Sequence, residues 1–302
     1  MIARKTAPPR WQADLALALV ALIWGSTFVV VKSALTEIST LYFLALRFAL
    51  ATVCMLLMFV PAFRRTALRE IWRGLRGGAV AGIFLWLGYL LQTLGLKYTS
   101  AGNSGFLTGL YIVLVPLISA AIYRRWPQAR ELIGVAIAGA GIVVLTFPSM
   151  DRRFQMNKGD LLTIGCAVAF AFHILVLGYY SVRERFEAVA LGQIACAAAL
   201  SGISLTVEPP QAVWSSGVIV AIVLTAVFAT ALAFAIQTWG QQYTTATRTA
   251  LLFALEPVFA LVTAVLAGGE ALTAAAVLGG ALILGGILAV ELKPAANARH
   301  QE

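Results

Sequence analysis

The sequence predicts an all-α integral membrane protein, with ten transmembrane helices laid out as two inverted five-helix repeats. Three observations carry the prediction. Of 302 residues, 61% are hydrophobic and only 12% charged, and the mean hydropathy is +0.89; a soluble domain is nearer a quarter charged. The apolar residues gather into ten runs close to the roughly 20 residues that cross a bilayer core as helix. The polar stretch QTLGLKYTSAG at 92–102 returns as QTWGQQYTTAT at 237–247, 145 positions later.

The ten runs are 12–32, 41–61, 75–95, 101–122, 131–147, 159–180, 187–207, 213–235, 244–267 and 271–291. Barrel strands would be about 10 residues long and strictly alternating. These runs are twice that length and do not alternate. Only a helix satisfies its own backbone in lipid. The first run follows Arg4, Lys5 and Arg10, as a signal peptide would. Its apolar stretch is about twice a usual h-region and nine more follow, so it reads as a retained span. The loop stretch FRRTALREIWRGLRGG at 63–78 reads either as a basic interfacial helix or as a solvated loop with snorkelling arginines. Trp11, Trp72, Trp126 and Trp214 fall near run ends, where interfacial anchors belong.

The net charge of +9 raises the question of a nucleic-acid partner. Its placement answers no. With ten spans and both termini inside, clusters such as Arg64, Arg65, Arg69, Arg73 and Arg76 lie on the inner side. Only Lys32, Lys97, Arg152, Arg153 and Lys158 fall outside, and Arg47 lies within a span. That asymmetry predicts cytoplasmic termini. Cys54, Cys166 and Cys196 all sit in apolar runs, with no disulfide framework and no metal-ligand spacing. No metal and no cofactor is expected.

The repeat extends beyond the polar stretch. At an offset of 145, Gly134 matches Gly279 and Gly141 matches Gly286; at 146, Asp14 matches Asp160. The expected organisation is a first repeat at 1–147, a linker at 148–158 and a second repeat at 159–302. Five spans per copy is odd, so the second copy enters the membrane from the opposite side. Such inverted repeats are common in secondary transporters. Repeat arrays of soluble proteins have shorter periods. Gly95 and Gly240 permit the turn in each polar stretch, and the Thr/Ser run after each can cap the next helix.

The stretches LIWGSTFVVVKSAL (22–35), YFLALRFAL (42–50), YTSAGNSGFLTGLYIVLVPLISA (98–120) and YTTATRTALLFALEPVFALVTAVLAGGEAL (243–272) resemble the EamA-type carriers of the drug/metabolite transporter superfamily. The likeness covers nearly the whole chain, once per half. It implies a central cavity lined mainly by spans 1, 3, 4, 6, 8 and 9, with spans 5 and 10 peripheral. It also implies export or exchange of small metabolites, often amino acids, across a bacterial inner membrane. The first half reads YRRWP at 123–127 where such proteins often carry a glutamate like Glu270.

Polar and aromatic groups inside spans are the candidate site residues. Trp86, Tyr89 and Gln92 fall close to one face of span 3, facing either the cavity or a packed interface; Thr230, Phe234 and Gln237 share a face in span 8. Gln amides donate and accept, so they suit a zwitterion or amide. Span 1 offers Trp24, Ser26 and Thr27, whose hydroxyls serve substrate or the i−4 carbonyl. His173 matches Thr27 and is either a proton-coupling group or a hydrogen-bonded polar group. Span 4 adds Asn103, Thr108 and Tyr111, and span 9 adds Thr249. Gly95, Gly109, Pro116, Gly240, Arg248, Glu256 and Pro257 are candidate gating positions, because Pro removes a backbone donor and kinks a helix. The same kinks can be static. Arg248 and Glu256 lie eight apart on one face; Arg248 either pairs inside the bundle or snorkels to the inner surface. The small-residue faces of GVAIAGAG (134–141) and GGALILGG (279–286) let helices pack closely, within a monomer or across a homodimer through spans 5 and 10.

The expected function is a secondary, non-ATP transporter, since no G-x-x-x-x-G-K-[ST] loop is present. Its expected partners are a small-molecule substrate and the lipid bilayer. Amino acids, including aromatic ones, are the leading cargo, with export as the direction. Rivals are a multidrug or other metabolite exporter, a lipid flippase, and a membrane-embedded enzyme or scaffold without flux.

Overall fold

A run of apolar residues in lipid keeps its backbone hydrogen bonds to itself, and the described apolar runs are helical. The computed structural model describes residues 8–99, 101–124, 126–146, 156–266 and 272–291. Thirteen α-helices follow one another: α1 Arg10–Ala34, α2 Thr40–Phe63, α3 Leu68–Gly95, α4 Ala101–Thr108, α5 Tyr111–Tyr123, α6 Ala129–Thr146, α7 Lys158–Ser181, α8 Phe186–Ser204, α9 Ser216–Ala226, α10 Ala233–Gly240, α11 Ala246–Phe253, α12 Glu256–Leu266 and α13 Ala274–Glu291. A π-helical turn, Val227–Leu232, joins α9 to α10. Among the described residues there is no strand, only an isolated antiparallel bridge between Ile38 and Ala212.

Among the described residues, seven helical segments are long and apolar enough to cross a membrane, from Thr40–Phe63 to Ala246–Thr263, and Ala274–Val290 is a shorter apolar helix. The outward surface is apolar too. Leu15, Leu57, Leu161, Ile203 and Leu278 are each more than half exposed. A surface of that kind belongs against lipid. The protein is a multi-pass membrane protein.

Two of the apolar runs read from the sequence are broken. The first divides at Gly109–Leu110, between α4 and α5. There Leu110 N–H donates to Leu107 O, and Ile112 N–H to Gly109 O, so the α ladder tightens into i→i−3 turns. The second divides at Ala254–Leu255, between α11 and α12, where the same tightening occurs. Pro257 follows directly and cannot donate to Phe253 O, so the ladder has no way to run through. Pro116 sits inside α5, seven residues beyond its break. The basic stretch 63–78 does not form a separate interfacial helix. It holds the end of α2, a turn, and the first turns of α3, a single 28-residue helix.

In lipid, helices associate through close packing rather than through the hydrophobic effect. Gly74, Gly78 and Gly82 form a stripe on α3 against Ala188, Val189 and Gln193 of α8. The small-residue faces of α6 and α13 meet each other within the chain. A Cβ on Gly134 would lie 2.7 Å from Gly286 O, and one on Gly141 would lie 2.7 Å from Gly279 O. One core cluster runs from Leu17 and Val20 of α1 through Ile112 of α5 and Ile174 of α7 to Phe253 and Ile283. A second joins Phe48 and Met55 of α2 to Ile194 of α8 and Phe234 of α10. Between these two clusters lies the site.

Candidate functional site

The cavity has a volume of about 130 Å³. That suits a small ligand, below the roughly 300–1,000 Å³ of drug-sized pockets. Trp24 and Thr27 of α1, Tyr89 and Gln92 of α3, Thr108, Tyr111, His173 of α7, Phe234 and Gln237 of α10, and Glu256 at the start of α12 all line it. So do Arg47, Phe170 and Phe253. The lining reaches Leu35 and Leu96, just past the C-terminal ends of α1 and α3, and Phe43 near the start of α2.

The aromatic wall is built on Trp24. Its ring lies 5.3 Å from Phe234 and 5.0 Å from Phe253, and its Nε1–H donates to Ala229 O at 2.9 Å. Gly25 makes the wall possible, because a Cβ there would lie 2.6 Å from Glu256 O and 2.8 Å from Ala260 N. Helices α1 and α12 therefore touch backbone to backbone, and Glu256 starts its helix beside the cavity. A carboxylate at a helix N-terminus is favourably placed.

The hydroxyls of Ser26 and Thr27 take the structural option: Ser26 Oγ donates to Leu22 O, and Thr27 Oγ1 to Ile23 O and Trp24 O. Such bonds to the preceding turn compete with any ligand. His173 is 2% exposed and lies 2.7 Å from Gln193 Oε1. Gln193 Nε2 donates to Thr238 Oγ1, which donates to Phe234 O. The amide's nitrogen is thus spent, and His173 Nε2–H donates to its oxygen. Gln92 Nε2 donates to Thr108 Oγ1 at 3.2 Å, and Gln237 Nε2 to Gln241 Oε1 at 3.1 Å.

Other expected residues lie elsewhere. Trp86 packs on the second core cluster, as Tyr89 does, but is not on the cavity wall. Thr249 is fully buried and donates to Thr245 O. Ser26, Thr230, Gly95, Gly109, Pro116, Gly240 and Pro257 are not on the wall. Arg248 and Glu256 do not share a helix, because the chain breaks between them. Arg248 Nη2 instead donates to Asp14 Oδ2 at 2.7 Å, tying the start of α11 to the start of α1. The side chain of Asn103, Glu270 and residues 147–155 of the inter-repeat region lie outside the described residues.

Sequence reading passed over Arg47. It is 5% exposed, in the middle of an apolar helix. Its Nε–H donates to Thr230 Oγ1 at 2.7 Å, and its Nη2 to Ala229 O at 3.2 Å and Tyr89 Oη at 3.3 Å. The π turn presents Ala229 O to both Arg47 and Trp24, since a π turn releases carbonyls from the α ladder. A lone charge inside an apolar run was the signal, and it was counted only for topology. Among the described residues, no group of three or more His, Cys, Asp or Glu gathers as a metal site.

Comparison with known proteins agrees with this architecture. The EamA-like transporter family matches residues 11–147 and 157–292. An uncharacterized transporter of Archaeoglobus fulgidus is 36% identical over 94% of this chain and 87% of its own length. The uncharacterized transporter YyaM of Bacillus subtilis is 27% identical over 89% of this chain and 90% of its own. A crystal structure superposes with a TM-score of 0.80 at 22% identity, over 93% of this chain and 98% of that one, a likeness of fold. Family and relatives make this a transporter rather than an enzyme, and the chain belongs to the EamA-like transporter family of the drug/metabolite transporter superfamily.

Proposed function

We propose that the protein is a secondary carrier that moves small metabolites, amino acids including aromatic ones first among them, by alternating access. The observation that carries this is the cavity itself. It is walled by helices of both halves of the chain and lined by rings, amides, an arginine and a carboxyl group. In this reading the helices form ten spans: α4 with α5 make the fourth, α9 with α10 the eighth, and α11 with α12 the ninth. The halves, 1–147 and 159–302 about a linker at 148–158, are inverted copies. The two polar stretches support the inversion. The first follows α3 at the end where α1 finishes; the second follows α10 at the end where α1 begins, with Gly240 beside Leu17 and Arg248 on Asp14.

Export is the proposed direction, across a bacterial inner membrane with both termini cytoplasmic. The broken pairs α4/α5 and α11/α12 are the moving elements. The unit is a monomer or a homodimer; the small faces of α6 and α13 already face one another within one chain.

Release from proteoliposomes loaded with mixed amino acids tests the reading, followed by mass spectrometry beside protein-free vesicles. Selective, saturable release is the expected result, reduced in a Gln92→Ala/Gln237→Ala variant. Release no faster than from protein-free vesicles, across amino acids, drugs and sugars alike, overturns it.

A further inference from the structure

We propose that Arg47 and Glu256 are the two poles of a zwitterion site: Arg47 receives the cargo's carboxylate, Glu256 its ammonium group, and the aromatic wall the side chain between them. This rests on the carrier reading above and assigns its substrate class to two residues.

The argument starts from what the two groups lack. Arg47 comes from α2 and Glu256 from α12, and both line the one cavity. The guanidinium has five N–H groups. Nε–H and the two on Nη2 are taken by Thr230, Ala229 and Tyr89. Those bonds fix the plane of the guanidinium and leave Nη1 without a hydrogen-bond partner among the described residues. No carboxylate pairs with Arg47, and no cation with Glu256: the ion pairs of the described residues are Arg73–Glu184, Lys97–Glu208, Arg185–Glu187 and Arg248–Asp14.

Charges held away from water are stable only when paired and hydrogen-bonded. Here a guanidinium and a carboxyl group face the same space without pairing. A ligand carrying both complementary charges satisfies them together. An anion alone leaves Glu256 without a partner, and a lipophilic cation leaves Arg47 without one and adds its own repulsion. Trp24, Phe170, Phe234 and Phe253 complete the wall with rings, so the apolar part of the cargo has a place as well. Arg47 has the fork geometry that a carboxylate matches, and Tyr89, 5.1 Å below its charge, holds it from the ring face.

The test is competition in proteoliposomes, with radiolabelled phenylalanine as the transported probe. Unlabelled phenylalanine, its decarboxylated amine and its N-acetyl derivative compete in parallel. Charge-assisted hydrogen bonds predict that each analogue competes at least about 10-fold more weakly than phenylalanine. Arg47→Gln is expected to abolish the discrimination against the amine, and Glu256→Gln that against the N-acetyl compound, each leaving the other discrimination in place. Arg47 also holds the π turn, so Arg47→Lys serves where Arg47→Gln does not fold, with the expectation that it keeps preference for the carboxylate. Saturable phenylalanine transport with equal competition by all three compounds overturns the proposal and leaves the carrier reading intact. Transport of none of the compounds, nor of any drug or sugar, overturns both.

Discussion

Gln92 and Gln237 begin the same polar stretch, and the two stretches meet different surroundings. After Gln92 the chain packs tightly at Gly95, ties Thr99 Oγ1 to Asp160 Oδ1 at 2.6 Å, and otherwise runs to the surface. Tyr98 is 60% exposed, Lys97 pairs with Glu208 at the surface, and the cavity lining continues out to Leu96. After Gln237 the chain is shut. Gln237 and Gln241 are each 1% exposed, Gln241 Nε2 donates to Ile174 O, Gln242 Nε2 donates to Ser181 O, and Arg248 closes on Asp14. One sequence word has thus been given two environments, an open end and a latched end. On the carrier reading proposed above, exchanging the two environments between the two stretches would give the second state.

The latch is where the comparison breaks most easily. The Arg248–Asp14 pair has side-chain exposures of 22% and 13%, between the surface and buried regimes, so removing one partner costs roughly 1–3 kcal/mol. Asp14→Ala is expected to favour opening at that end by about 10-fold or more. A cysteine placed at Ser181, which is 1% exposed, reports it. With Cys54, Cys166 and Cys196 replaced, labelling of Ser181→Cys by a water-soluble maleimide in detergent should speed up by that factor. A cysteine at Tyr98 should label fast with or without the latch. Equal labelling of Ser181→Cys in both backgrounds would show that the ion pair holds nothing closed.

The two ends also differ in legibility. The polar stretches, Trp24, Tyr89, Gln92, His173, Phe234 and Gln237 were visible as polar or aromatic groups in apolar helices, and periodicity alone brings them near a common space. Glu256 was visible too, as a gating residue, but its place on the cavity wall was not. It depends on a break at Ala254–Leu255 that removes it from the face of Arg248. The π turn at Val227–Leu232 was invisible, since VFATAL carries neither Gly nor Pro. Yet that turn presents Ala229 O and Thr230 to Arg47. Trp86 shows how far spacing reaches. Its i, i+3 spacing to Tyr89 predicted a shared face, and both pack on the second core cluster, but only Tyr89 lines the cavity.

A smaller effect separates the two glycines of the repeated stretch. A Cβ at Gly95 would lie 2.7 Å from Thr163 Oγ1 and 3.0 Å from Gly159 O. Thr163 Oγ1 itself donates to Gly159 O, so neither neighbour can yield. Gly95→Ala is expected to destabilise by about 1–3 kcal/mol through overpacking. At Gly240 the nearest atoms are the tip of Leu17, at 3.1 and 3.2 Å. There the helix-propensity gain of up to about 1 kcal/mol offsets a contact that a flexible side chain relieves. Thermal unfolding in detergent should lower the midpoint for Gly95→Ala and leave Gly240→Ala near wild type. The opposite order would mean that the helix contacts are tighter around Gly240 than around Gly95.

The smallest expected effect lies at the open end and depends on pH. Glu208 sits in the loop after α8, where its Oε1 accepts from Lys97 Nζ at 2.7 Å and its Oε2 from Leu41 N–H at the start of α2 at 3.0 Å. Burial pushes its carboxyl up, but those hydrogen bonds and the Lys97 charge outweigh it and hold the group below the usual glutamate value. A carboxyl lowered on folding adds stability that is present above its unfolded value of about 4.3 and is lost as pH falls through the lower folded value. The pair is 41% and 24% exposed, so solvent screens it and its worth is under about 1 kcal/mol. The unfolding midpoint should therefore fall slightly more steeply below about pH 4.3 in the wild type than in Glu208→Gln. In 1 M salt the two curves should converge toward each other, because exposed charges are screened within about 3 Å. Curves that stay parallel at low salt would show that Glu208 supports the open end through the neutral cap on α2 and not through its charge.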